Sequence, residues 1–136
     1  MTNDDLASDY LTRAKKRLSA VEALWNEDAW ADVVRESQEV VELALKGLLR
    51  SSRVLAPHNH DVSAVLLANS EALPSELRQH LDEFARISRA LRRDREMAFY
   101  GSEDLTPSSF YQKEDAETAR QQAQRVVLLV FPFVVK

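Results

Sequence analysis

Cysteine is absent from this 136-residue chain. That excludes disulfides, thiolate metal sites and a cysteine nucleophile, and it is compatible with a reducing cytoplasm. Glycine and proline are scarce, at two and four residues. So few turn formers leave room for few turns, and the elements must be long. A net charge of -4 argues against a general nucleic-acid binder, so any such contact has to come from a local patch. The most apolar segment, from Val126 to Val135, is interrupted by Pro132 and is far short of the ~20 residues that span a bilayer. It reads as a buried helix end or an oligomer contact. The opening Met1-Thr-Asn-Asp-Asp has neither the basic flank nor the apolar stretch of a signal peptide. The expected location is the cytoplasm, with no membrane partner.

What is present suits helices. Leu, Ala, Glu, Arg and Val dominate, and these favour helices over a sheet. The length favours one domain over residues 1–136, large enough to bury roughly two-thirds of the surface of its unfolded form. Periodicity predicts an all-α, up-and-down bundle of about five helices. The first runs roughly from Asp4 to Leu24, with Leu6, Tyr10, Ala14, Leu18 (or Arg17) and Val21 as its apolar stripe and Thr2 or Asn3 as its cap. The second, about Asp28 to Arg53, has Trp30, Val34, Ser37, Val41, Leu45 and Leu48 as its stripe, widened by Val33, Val40, Ala44 and Leu49. Pro57 closes that segment. A short third helix follows the His58-Asn59-His60 loop, with Asp61 as its cap. The fourth opens at Pro74 and carries Leu77, Leu81, Phe84, Ser88 and Leu91. A loop from Gly101 to Ser109 leads to the fifth, which opens with Glu114-Asp115 and buries Ala116, Ala119, Ala123, Val126 and Val130.

The stretch with chemical content is Ser88 to Gly101. Five arginines lie between Arg86 and Arg95. Arg86, Arg89 and Arg93 are spaced to share one helix face, a positive ridge whose planar forks of donors match phosphates. The plainer reading is a solvated face offset by Glu83 and Asp94. Arg95 stands eighteen residues after Leu77, five turns of a straight helix, which aims it at the core. There it needs an internal ion-pair partner or a cleft. Tyr100-Gly101 reads as a glycine stop with a packed tyrosine. His58, His60 and His80 do not form a metal-binding spacing, and neither a Gly-rich phosphate loop nor a nucleophile triad can be argued. No metal and no cofactor are expected.

At this point the chain resembles the HEPN family. The resemblance covers most of the sequence. It rests on Trp30, the run Ser37-Gln-Glu-Val-Val-Glu-Leu-Ala-Leu-Lys-Gly-Leu-Leu49, the Pro57–Asp61 loop, Arg95-Glu-Met-Ala-Phe-Tyr-Gly101, and Tyr111-Gln-Lys-Glu-Asp-Ala116 at the last helix. It implies a helical bundle that commonly dimerises, with a site near the end of the fourth helix. Many HEPN proteins are metal-independent ribonucleases of toxin–antitoxin or defence systems, marked by Arg, four to six residues, then His. A subset reads Arg-x4-His-x-Tyr. Laid on this chain, Arg93 takes the Arg place, Tyr100 the Tyr place, and Ala98 the His place. Shifting the register to Arg95 reaches Gly101 or Ser102 and recovers no His. Alanine has no proton to move, whereas His titrates near neutrality.

Three functions are therefore weighed. The preferred one is a non-nuclease HEPN module, a homodimer that binds nucleotide or RNA phosphate or docks a nucleotidyltransferase, with Arg89, Arg93, Arg95 and Tyr100 as its binding residues. By the same resemblance, Tyr100 is the candidate for modification by such a partner. The second is a metal-independent ribonuclease toxin, with Arg93, Arg95 and Tyr100 as its candidate catalytic residues. The third is a helical adaptor without a ligand.

Overall fold

The computed structural model describes residues 2–55 and 61–136, apart from the side chains of Arg95 and Glu96. The described residues form six α-helices and no strand: α1 (Asn3–Asn26), α2 (Trp30–Ser51), α3 (Val62–Ala68), α4 (Leu81–Tyr100), α5 (Pro107–Phe110) and α6 (Lys113–Val134). Two 3-10 segments, Ser70–Ala72 and Ser75–His80, lead from α3 into α4. The long helices α1, α2, α4 and α6 run alternately up and down. Cross-helix contacts fix those directions. Asn3 meets Arg50 while Arg17 meets Glu36, and Arg35 of α2 lies over Phe99 at the end of α4. Glu22 of α1 meets Arg120 of α6 while Lys15 meets Phe131.

Helix α2 is the axis of the bundle and packs against α1, α4 and α6. Its expected stripe is buried throughout, from Val33 and Val34 to Leu48 and Leu49, with Trp30 half-buried at its start. Each Leu or Val so removed from water contributes roughly 1.5–3 kcal/mol. On α4 the expected Leu81, Phe84, Ser88 and Leu91 are buried, and so are Ala116, Ala119, Ala123, Val126 and Val130 on α6. The apolar end of α6 has one buried side, completed by Val127 and Val134, while Leu128 stays 74% exposed. Pro132 sits inside the helix without ending it.

Helix α1 differs from the expected register. Ala7 and Leu11 are buried, while Leu6 and Tyr10 are only half-buried. The first half of the stripe is thus rotated by one residue, about 100°. The reason is close approach. A Cβ built on Gly47 would fall 3.2 Å from the Ala7 carbonyl oxygen and within contact of Leu11 and the Tyr10 Cβ. Glycine on α2 and alanine on α1 let the two backbones meet, and that contact sets the rotation.

The caps follow local chemistry. The Thr2 hydroxyl accepts from the Asp5 amide at 3.1 Å, and the Asp5 carboxylate accepts from the Thr2 amide at 2.9 Å, a reciprocal capping box. Asp61 caps α3, its carboxylate accepting from the Ser63 amide at 3.0 Å. Helix α2 ends at Ser51 for a local reason. Arg53 adopts a left-handed φ of 65°, and the amides of Arg53 and Val54 donate to the carbonyls of Arg50 and Leu49, as in a Schellman stop. Pro57, expected to close this segment, lies outside the described residues. Pro74 precedes a 3-10 segment, and the α-helix proper begins only at Leu81. The segment expected to be loop from Gly101 to Ser109 holds the single turn of α5, capped by the Thr106 hydroxyl.

Candidate functional site

The site is built on the C-terminal half of α4. Arg86, Arg89, Arg93 and Tyr100 fall on one face of this helix, and all four are exposed. Among the described residues, Arg86, Arg89 and Arg93 make no hydrogen bond or ion pair. The carboxylates expected to offset them act only at a distance, Glu83 on Arg86 and Asp94 on Arg93, without a hydrogen bond or ion pair to them. Glu83 takes two hydrogen bonds from Arg125 of α6, at 2.5 and 3.1 Å. Hydrogen bonding from Arg125 holds its carboxyl below the usual range, against the opposing effect of burial. Asp94 is half-buried. Burial pushes its pKa up, and the nearby Asp115 adds to this while Arg93 opposes it. Arg92, one strip round the helix, is 3.8 Å from Asp61. Burial disfavours the Asp61 carboxylate, but hydrogen bonds from the Ser63 hydroxyl and amide, with Arg92 and Arg89 nearby, outweigh it and lower its pKa.

Ala98 is 1% exposed. The position that the motif gives to a proton carrier therefore faces the core, among the residues that hold α4 against the bundle. The resemblance implied that Ala98 takes the place of a His, but nothing in the sequence marked this inward orientation. The next two residues turn outward. Phe99 is 53% exposed and Tyr100 75%, with their rings edge to face at 4.6 Å. The Arg35 guanidinium lies 5.1 Å from the centre of the Phe99 ring, a cation–π contact, while also bonding Glu39. Tyr100, expected to pack against the bundle, instead stands in solvent beside the arginine face.

The helix stops at Gly101, which has φ 78° and donates its amide to the Met97 carbonyl at 3.0 Å. A Cβ there would come 2.5 Å from the Leu105 carbonyl oxygen, so both conformation and space demand glycine. The returning chain is pinned by Tyr111. Its hydroxyl donates to the Asp94 carbonyl at 3.1 Å, and the residue is 3% exposed. Burial, with Asp94 and Asp115 nearby, pushes the phenol pKa up to about 12. Sequence reasoning placed Tyr111 only at the opening of the last helix and missed this tie. The available signal was an aromatic residue beside a helix start rich in acceptors.

The other expected residues fare differently. Arg95 is part of α4, but its side chain lies outside the described residues. The straight five-turn count from Leu77 does not apply, because Leu77 belongs to the 3-10 segment that precedes α4. His58 and His60 also lie outside the described residues. His80 stacks on Phe84, with ring centres 6.1 Å apart. Among the described residues, no three His, Asp or Glu side chains come together as a metal site would need. No helix there is long and apolar enough to cross a membrane.

Chemically, the face offers three exposed guanidinium groups that no hydrogen bond or ion pair holds among the described residues, and two exposed aromatic rings at one end. Such groups attract phosphates and stack with bases. A family model described as HEPN domain matches residues 7–131. No curated protein and no solved structure matches the chain.

Proposed function

The chain belongs to the HEPN domain family, and from that premise we propose that it is a non-nuclease module binding the phosphates of RNA or of a nucleotide along α4. The reading rests on one observation above others. Arg86, Arg89 and Arg93 lie exposed in a row that ends at Tyr100, without a hydrogen bond or ion pair among the described residues, in a protein of net charge -4. Exposed charge left unneutralised is inexpensive in water but adds little to stability, so its use lies in meeting a charged ligand. Arg89, Arg93, Arg95 and Tyr100 are the proposed binding residues. The buried Ala98 in place of the motif His argues against cleavage. The same face is proposed to meet a second copy of the chain or a nucleotidyltransferase, with Tyr100 as the group such a partner modifies.

The test is incubation of total cellular RNA with the purified protein without added metal, beside Arg93→Ala and Ala98→His variants checked for helicity. Retention of RNA without cleavage, weakening as salt rises and reduced in Arg93→Ala, is the expected result. Cleavage by the unmodified chain that disappears in Arg93→Ala would replace this reading with the ribonuclease one. Neither binding nor cleavage would leave an adaptor.

A further inference from the structure

We infer that the chain carries a second anion site, in a groove between the start of α1 and the end of α2, and that this site takes a small organic phosphate monoester. It uses no residue of α4, so it stands apart from the reading above. The groove is about half open to solvent and offers about 470 Å3, within the size range of small-molecule clefts. Asn3 and Tyr10 line it from α1, Lys46 and Arg50 from α2, and Arg53 with the apolar Val54 from the turn that ends α2. Lys46 and Arg50 are four residues apart on one face of the helix. The left-handed turn at Arg53 brings a third cation to the same wall.

Arg50 carries the inference. It is half-buried, yet among the described residues its polar side-chain partner is the neutral Asn3 amide oxygen, at 3.0 Å. The Tyr10 ring centre lies 5.9 Å away. A partly buried guanidinium ordinarily meets a carboxylate, because an uncompensated charge there is costly. Three carboxylates on these two helices have other partners. Asp5 accepts from the Thr2 amide. Asp4 pairs with Arg53 at 3.3 Å. Glu42 accepts from Gln38 at 3.0 Å and stands 3.7 Å from Lys46. The wall thus has three cations against the two carboxylates that pair with them.

Cations in the last turns of a helix also complement its dipole. That effect requires no cavity, and it accounts for neither the tyrosine nor the apolar wall. A phosphate monoester satisfies all three features. Its two negative charges meet the cations, its oxygens match the fork of Arg50, and its organic part lies against Tyr10 and Val54.

The experiment is a titration of the full chain with phenyl phosphate, inorganic phosphate and benzoate, followed by backbone amide NMR shifts. Phenyl phosphate is expected to shift the amides of Asn3, Tyr10, Lys46 and Arg50 and to bind severalfold more tightly than either other probe. Arg50→Gln should weaken it roughly tenfold, as loss of a charge-assisted pair does, and Lys16→Gln, at an exposed cation of α1 outside the groove, should leave it unchanged. Should Arg50→Gln lose its fold, Lys46→Gln serves as the second variant, with a severalfold loss expected. Four outcomes would overturn the site or its ligand. These are absence of shifts at these amides, equal affinity in the folded groove variants, equal or tighter binding of inorganic phosphate or benzoate, and loss of the shifts in Lys16→Gln.

Discussion

Helices α2 and α4 are both long and amphipathic, and each turns one face to the core, yet they use charge in opposite ways. On α2 several charged residues beside the core are paired, although the buried Ser37 hydroxyl and Gln38 amide oxygen have no hydrogen-bond partner among the described residues. Arg35 bonds Glu39, Glu36 accepts from Arg17, and Glu42 accepts from Gln38. On α4 the arginines at positions 86, 89 and 93 are exposed and make no hydrogen bond or ion pair among the described residues, and the helix ends in two exposed aromatic rings. A helix at the centre of a bundle has neighbours on most sides, so its flanking charges must find acceptors to be half-buried. A helix with one free side is under no such constraint. The difference separates residues that hold the fold from residues free to meet something else.

The comparison can be broken at four points. The largest effect is expected in the core that both helices share. Phe84 is fully buried, so Phe84→Ala should cost about 3–5 kcal/mol by urea denaturation. A loss below ~1 kcal/mol would mean that α4 is not held to α2 by packing. Next is the stop of α4. Gly101→Ala places a Cβ 2.5 Å from the Leu105 carbonyl oxygen at positive φ and should cost about 1–3 kcal/mol. An unchanged unfolding midpoint would show that the returning chain can shift freely.

Smaller again is Tyr111→Phe, which removes the hydroxyl donating to Asp94 and should cost about 0.5–1.5 kcal/mol. This variant also has a pH signature. The phenol pKa is raised in the folded chain from 10.0 to about 12, so its contribution is full below pH 10 and is lost as pH rises toward 12. The wild type should therefore lose stability more steeply than Tyr111→Phe over that window. Parallel curves would contradict the burial of the phenol. The smallest stability effect belongs to the free face. Arg89→Ala and Arg93→Ala should leave the unfolding midpoint almost unmoved, while each lowers the salt slope of RNA binding by about one. A large stability loss would instead make these arginines part of the scaffold, as those of α2 are.

Much of this arrangement was legible in the sequence. The stripe of α2 was readable because it is wide and repeats over many turns. The ridge of Arg86, Arg89 and Arg93 followed from spacing alone. The start of α1 was not, because Leu6 and Tyr10 are more hydrophobic than Ala7, and periodicity ranks residues by hydrophobicity rather than by how closely two backbones approach. Glu83 and Asp94 were expected to offset the ridge because they are neighbours in sequence, and each does feel the charge of Arg86 or Arg93. The tertiary structure adds the hydrogen bonds from Arg125 to Glu83 and the proximity of Asp115 to Asp94, which sequence distance does not reveal.

The sequence by itself determined that this chain is a helical bundle, where its long helices run, which arginines share a face, and its resemblance to the HEPN family. Those properties depend on local periodicity and on residue identity, which one chain carries in full. Only the tertiary structure decided that Ala98 faces inward, that Tyr100 and Phe99 stand in solvent, that Tyr111 ties the chain returning toward α6 to α4, and that Arg50, beside a groove, pairs with no carboxylate among the described residues. Each of these depends on which residues from distant parts of the chain arrive at the same place, and burial and charge pairing follow from that arrival.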